Sequence, residues 1–288
     1  MMFSLIVATR GRTGELSALF DSLLAQGRTD LEVIIVDQNG DERLAPIVAG
    51  HADRLTLRWL HSDVANACHA RNLGLRHARG AIVGFPDDDC LYPPGVLDRV
   101  GAAFSTDPVL RIITGPSASP SGGLGSGRWR ETGGAVTLRN VWTSVIEFNL
   151  FLRRETALTL GGFDERMGPG TPFGSAEGND LVARAIAFGC RAIYDPDLRV
   201  EHPDKRLTPI AVERAALYGA GFGLALRRHA PPATWAGFVI RPIGGMLLSA
   251  LRLRRLEFSY YAMTLRGRLR GLLASPDRAP LTPLEAVL

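Results

Sequence analysis

Short apolar runs recur along the first two-thirds of the chain. Phe3–Ala8, Glu32–Val36, Thr56–His61, Ala81–Phe85 and Arg111–Thr114 are rich in β-branched residues and too short for buried helices, so each predicts a strand. The residues between carry helical spacing instead. Leu16, Leu19, Phe20, Leu23 and Leu24 recur at that period in Gly14–Gln26, as do Ala67, Ala70, Leu73, Leu75 and Ala78 in Ala65–Ala78. Strands alternating with helices predict an α/β fold with a mostly parallel central sheet, covered on both faces. Ligands of such sheets bind at the carboxyl ends of the strands, near the point where strand order reverses. That rule brings together Thr9 and Arg10, Asp37-Gln38-Asn39-Gly40, Ser62 and Asp63, and the acidic run Asp87-Asp88-Asp89.

Further along, Phe148–Arg154 and Arg191–Tyr194 read as strands, Thr156–Leu160 and Asn179–Phe188 as helices, and Gly189 as a C-cap. Two stretches dense in glycine, Gly115–Gly134 and Gly168–Gly174, read as mobile loops or lids over a site. Past Lys205 the pattern becomes helical and basic, with Arg227, Arg228, Arg252, Arg254, Arg255, Arg266, Arg268 and Arg270 interleaved with Trp235, Phe238, Tyr260 and Tyr261. The division expected is one α/β domain over residues 1–205, followed by a helical basic region over 206–288. The apolar runs Trp235–Ile240 and Ile243–Leu251 are separated by Arg241-Pro242, so no membrane span of ~20 residues is expected. Basic amphipathic helices of this kind suit peripheral contact with an anionic membrane, a packed cap, or a homodimer interface.

Composition narrows the chemistry. With 288 residues, 46% of them hydrophobic, the chain can bury a sizeable core. Its formal charge is +4, and Lys205 is the only lysine, so the basicity is nearly all guanidinium, suited to planar contacts with phosphate. Cys68, Cys90 and Cys190 are an odd number at wide spacing, which offers neither a disulfide framework nor a C-x-x-C zinc site and fits a reducing, cytosolic compartment. Met1–Ala8 lacks a basic flank and reads as a strand, not a signal peptide. The turn Thr9–Gly14 is neither a dinucleotide-binding fingerprint nor a P-loop, and no nucleic-acid recognition module is visible. Three adjacent carboxylates repel one another unless a cation compensates them, and oxygen ligands at a strand end suit Mg²⁺ or Mn²⁺ holding a diphosphate.

The motifs Ile6–Arg12, Val36–Gly40, Ala70–Gly74, Phe85–Asp89, Asn149 with Arg153-Arg154, and Gly161–Glu165, in that order, resemble the family 2 glycosyltransferases of the GT-A fold over about residues 3–203. The resemblance implies a metal-dependent, inverting transfer of a sugar from a nucleoside diphosphate, UDP- or dTDP-type, to a hydroxyl of a glycan or lipid-linked glycan. It makes residues 1–205 a catalytic domain with a donor-binding half about 1–115 and an acceptor-binding half about 135–205, and it places Thr9, Arg10, Asp37, Arg71, Asn72, Asp87 and Asp88 at the nucleotide sugar, Asp164 and Glu165 at the acceptor, and a divalent cation, Mn²⁺ or Mg²⁺, on Asp87, Asp89 and His202. The family's helix-start motif usually reads Glu-Asp-x-Asp-Leu with its second residue the catalytic base. Here the string is Glu177-Gly178-Asn179-Asp180-Leu181, so Glu177 and Asp180 are the candidate bases, Glu177 favoured as lying ahead of the helix. A cytoplasmic enzyme at the inner face of the plasma membrane is implied. The alternatives are a sugar-phosphate nucleotidyltransferase, or a degenerate module that binds glycan or nucleotide without turnover.

Overall fold

The computed structural model describes residues 3–276 and 281–287. Met1 and Met2 of the expected first strand, and residues 277–280 and 288 of the expected basic region, lie outside the described residues. In chain order the elements are β1 (Phe3–Thr9), α1 (Gly14–Leu24), β2 (Leu31–Asp37), α2 (Ala45–His51), β3 (Thr56–His61), α3 (Ala67–His77), β4 (Ile82–Gly84), α4 (Val96–Thr106), β5 (Leu110–Thr114) and β6 (Ser117–Ala118). Then follow β7 (Gly134–Ala135), β8 (Leu150–Arg153), α5 (Arg154–Thr159), α6 (Glu177–Ala187), β9 (Arg191–Tyr194), β10 (Val200–Glu201), α7 (Pro209–His229), α8 (Pro232–Leu251) and α9 (Arg255–Leu273).

The main sheet runs β3-β2-β1-β4-β8-β5-β9-β7. Neighbours are parallel except where β8 enters between β4 and β5 and where β7 closes the edge. Strands β1 and β2 are buried on both faces, which is why they read as continuous apolar runs, whereas edge strand β3 is half exposed. Their alternating side chains divide between two cores. Ile6, Ile34 and Val36 meet Cys68, Leu75 and Leu181 on one face, and Leu5, Val7, Val33 and Ile35 meet Leu16, Leu19 and Leu97 on the other. Strand order reverses between β1 and β4, and the first site residues stand at that crevice.

The region past Lys205 is three helices. Arg241-Pro242 does not divide the second, as the sequence had suggested: Pro242 lies inside a continuous α8 of 20 residues. That helix is long and apolar enough to cross a membrane by length and composition, with only 11% of its most apolar window buried. Helices α7 and α9 cross with their backbones nearly touching. A Cβ on Gly267 would lie 2.1 Å from the Ala216 carbonyl oxygen, and one on Gly271 2.1 Å from that of Ala220, so glycine is the residue the crossing requires. Helix α7 also rests on the turn ahead of α6. The Gly174 N–H donates to the Leu217 carbonyl at 3.0 Å and Ser175 Oγ donates to that of Tyr218 at 2.7 Å.

Candidate active site

Two backbone pairings assemble the site. Beyond β4 the chain stays beside β1 through a parallel bridge of Ala8 with Asp87, which sets the acidic run at the carboxyl end of the first strand. Glu201 at the end of β10 pairs with Leu91, their N–H groups and carbonyls exchanged at 2.9 and 3.0 Å, so His202 is delivered against the same run.

Asp87, Asp89 and His202 each offer a ligand atom, and the three atoms lie within 4.8 Å of one another. The His202 Nδ1 meets the Pro203 carbonyl at 2.8 Å, which only a protonated Nδ1 can do. In the neutral ring Nε2 therefore carries the lone pair, and it points at Asp89 Oδ1 3.4 Å away. That oxygen is buried and accepts no hydrogen bond from the described residues. A lone pair facing an orphaned carboxylate oxygen is repulsive unless a proton or a metal cation joins them, and with Asp87 close by the donor set fits a divalent ion with oxygen and imidazole ligands. Burial pushes the Asp89 carboxyl up, against the pull of His202 and Arg12.

Asp88 has a different task. Thr9 Oγ1 donates to its Oδ2 at 2.7 Å and Arg12 to its Oδ1, while Arg12 also reaches Asp89 at 2.8 Å. Its carboxylate is thereby committed to the turn after β1. Arg12, in the sequence merely one basic residue of that turn, is the cation that balances the acidic run.

Arg71, 4% exposed, spans the site. It donates to Asp87 Oδ1 and Glu177 Oε1, each at 2.9 Å, and its guanidinium lies 5.4 Å from the Phe163 ring centre. Burial alone would lower its pKa, but Asp87 and Glu177 hold it charged and raise it instead. Glu177 is the first residue of α6, not a loop residue ahead of it, and is also buried. Burial, reinforced by repulsion from Glu147 and opposed by Arg71, pushes its carboxyl up to about 7. The residue before it, Ala176, is held at φ 66°, a left-handed conformation that costs energy outside glycine and clusters at functional sites. Beside it Glu147, which the sequence reading passed over, accepts the Gly178 N–H on Oε1 at 2.9 Å.

An open cleft of about 1010 Å³ joins these groups, ample for a nucleotide sugar. Arg10, Arg12, Asp87–Asp89, Arg71, Glu147 and Glu177 line it, with His202. The basic helices contribute Arg214, Tyr218, Tyr260 and Tyr261 to the facing wall.

Other expected site residues have partners outside the cleft. Asp37 is fully buried, closing a turn by accepting the Asn39 N–H at 2.8 Å and holding the Trp59 indole N–H at 3.1 Å. Gln38 takes the lining position beside it. Asn72 staples the Gly162–Glu165 turn, accepting the Phe163 N–H at 2.8 Å and donating to the Phe163 carbonyl at 2.9 Å and to Glu165 at 3.0 Å. Glu165 also meets His69 at 2.9 Å. Asp164 faces Arg166 and Arg228, which hold its carboxyl below the usual range although burial alone would raise it. Asp180 points the same way, to Arg184, Arg228 and His229 at 2.8, 3.1 and 2.9 Å. Burial would raise its pKa, but His229 and Arg184 hold it well below the usual range. The stretch 168–174, expected as a lid, is tied on both sides: Ala67 donates to the Pro169 carbonyl at 3.1 Å, and Gly174 to α7.

A mostly parallel α/β sheet with a nucleotide-sized acidic cleft at its strand ends and a helical C-terminal region is the GT-A architecture. The sequence profile of Glycosyl transferase family 2 matches residues 4–156, more than half of the chain, and the chain belongs to that family. It is 30% identical over 117 residues to an uncharacterized glycosyltransferase of Haemophilus influenzae, covering 40% of this chain and 39% of that protein. It is 28% identical over 145 residues to the poly(ribitol-phosphate) beta-N-acetylglucosaminyltransferase TarS of Staphylococcus aureus, covering 49% of this chain and 25% of that one. The chain thus spans well under half the length of the curated relatives it matches. Two solved structures share the fold across 94% of this chain at 19% identity. TarS 1–349 with UDP-GlcNAc gives a TM-score of 0.61 over 92% of its length, and the mannosyltransferase PcManGT of Pyrobaculum calidifontis with GDP-Man and Mn²⁺ gives 0.63 over 87%.

Proposed function

We propose that this chain is a metal-dependent, inverting glycosyltransferase that moves a sugar from a nucleoside diphosphate, UDP- or dTDP-type, to a hydroxyl of a glycan or lipid-linked glycan. The observation that carries the reading is the orphaned Asp89 oxygen facing the His202 lone pair at the strand-end crevice. Asp87, Asp89 and His202 would hold Mn²⁺ or Mg²⁺, which supplies Lewis-acid stabilisation to the charge gathering on the leaving diphosphate. Thr9 and Arg12 fix Asp88 and so the acidic run, and Arg71 holds Asp87 against Glu177. Arg10 lines the donor side, and Asp37 shapes the turn that receives the base. The carboxylate that takes the acceptor's proton belongs to the Glu147–Glu177 edge. Family membership and the fold complexes with sugar nucleotides support sugar transfer over nucleotidyl transfer. Incubating the protein with a panel of UDP-, dTDP- and GDP-sugars and Mn²⁺ tests it. Nucleoside diphosphate is the expected product; pyrophosphate, or binding without turnover, would overturn the reading.

The exposed face of α8, with Ile240 and Leu247 each 63% exposed and Leu251 84%, next to Arg252, Arg254 and Arg255, supports peripheral binding to an anionic membrane at the cytoplasmic face. Leu247→Asp with Leu251→Asp should abolish sedimentation with phosphatidylserine vesicles and leave the fold intact. Vesicle-independent dimerisation lost in the same variant would assign the face to a second copy instead.

A further inference from the structure

The carboxylates of the cleft are not equally free. Asp88 is held by Thr9 and Arg12. Asp87 is paired with Arg71, and Asp89 faces His202. Glu177 is 3% exposed, and its Oε1 is bonded to the Arg71 guanidinium, an obligate cation that cannot pass a proton on. Asp180 lies outside the cleft in its own ion cluster.

Glu147 differs from all of these. It lines the cleft and is half-buried, and among the described residues its carboxylate accepts one hydrogen bond, from the Gly178 N–H on Oε1. It stands in a volume emptied by the sequence. A Cβ built on Gly178 would meet Glu147 Oε1 at 2.8 Å, Cγ at 3.0 Å and Cδ at 3.1 Å, so the carboxylate occupies the space that a side chain at position 178 would fill. Gly178 is the second residue of α6, where a backbone N–H has no helical partner and steadies an anion. Glu147 itself sits in the single turn Glu147–Asn149, fixed by the buried ring of Phe148 and by Asn149, which donates to the carbonyls of Pro116 and Leu198 at 2.9 and 2.6 Å.

We propose that Glu147 is the catalytic base, reaching into the cleft through the space left by Gly178, and that Glu177 is a positioning residue that holds Arg71. The inference rests on the transferase reading above. In the step, the acceptor oxygen forms the bond to the anomeric carbon as its proton passes to the Glu147 carboxylate. The bond from that carbon to the diphosphate oxygen breaks, and its electron pair leaves with the nucleoside diphosphate.

The experiment measures donor affinity by calorimetry and nucleoside diphosphate release, to water and to detergent-extracted bacterial glycolipid, for four proteins: unaltered, Glu147→Gln, Glu147→Ala, and Glu147→Ala with Gly178→Asp. Glu147→Gln still accepts the Gly178 N–H and should fold. It should keep its donor dissociation constant within threefold while kcat falls ~10²-fold or more. Gly178→Asp restores a carboxylate to the same volume from the other backbone, so the double variant should recover at least tenfold over Glu147→Ala. Glu147→Gln turning over within threefold of the unaltered protein, or losing rate only through donor affinity, would overturn the assignment. So would a double variant no faster than Glu147→Ala. Failure of the unaltered protein to release nucleoside diphosphate from any donor overturns the transferase reading instead.

Discussion

The imidazole of His202 lies on the ring of Phe148, their planes 12° apart and their centres 4.7 Å apart. Stacking on one side and the Nδ1 bond to Pro203 on the other leave the ring one orientation, with Nε2 toward Asp89. Metal sites depend on such outer contacts nearly as much as on the ligands themselves.

Phe148→Leu should therefore weaken Mn²⁺-dependent nucleotide binding by ~10-fold or more without removing a ligand. Calorimetry with UDP at fixed Mn²⁺ measures it. Unchanged affinity would show that the stack does not orient the histidine.

Asp89→Ala removes the orphaned oxygen and one partner of Arg12. The unaltered protein should bind UDP more tightly with Mn²⁺ than with EDTA, and the variant should bind equally in both. A thermal-shift series with and without metal gives the same comparison, since a ligand specific to the folded state raises its apparent stability.

Glu177 predicts a pH dependence of stability. Its folded carboxyl titrates at about 7, above the unfolded value of ~4.3, so between those limits the folded state keeps a proton that the unfolded chain has lost. The contribution is whole below ~4.3 and is lost as pH rises through about 7. Urea denaturation at pH 5 and pH 8 should show the unaltered protein losing more stability across that interval than Glu177→Gln. Parallel losses would place the titration elsewhere.

Asp180→Asn should cost about 3 kcal/mol or more, because it strips a buried carboxylate from Arg184, Arg228 and His229. The folded carboxyl ionises below the unfolded ~3.9, so its contribution is complete above that pH and drains only in stronger acid. Chemical denaturation at pH 7 and pH 3 checks both statements. A loss under 1 kcal/mol at pH 7, the scale of a helix-end charge, would mean the cluster is not what binds α6 to α7.

Gly267→Ala would push a methyl to 2.1 Å from the Ala216 carbonyl oxygen. Overpacking of this kind costs about 1–3 kcal/mol, a lowering of Tm by roughly 2–5 °C for a chain this size. Gly237→Ala, whose Cβ meets nothing within 4 Å, is the control expected to leave Tm unchanged or higher.

Local patterns carried the strands. Thr56–His61 and Arg191–Tyr194 were legible to the residue because β-branched and aromatic runs ended at turn residues. Helices α2 and α4 were not named in advance; α2 is only seven residues long, too short for its period to stand out. The strand-end rule brought Arg10 and Asp87–Asp89 to one cleft, and the family resemblance added Arg71 and His202. What stayed hidden was long-range pairing. Nothing in Asp164 or Asp180 announces that Arg228 and His229, 64 and 49 residues later, will turn them away from the cleft. Glu147 was hidden because its meaning lies in the missing side chain of Gly178, a negative shape that only packing reveals.

The glycine crossing of α7 with α9 also decides how force travels through the molecule. Backbones in such contact have no side-chain layer to shear, so α9 cannot slide or roll without carrying α7 along. Helix α7 in turn holds Gly174 and Ser175 through its own carbonyls, immediately ahead of Ala176 and Glu177. A load applied to α8 and passed to α9 thus reaches, through α7, the strained Ala176 ahead of Glu177, so the exposed apolar helix and the cleft share one mechanical train.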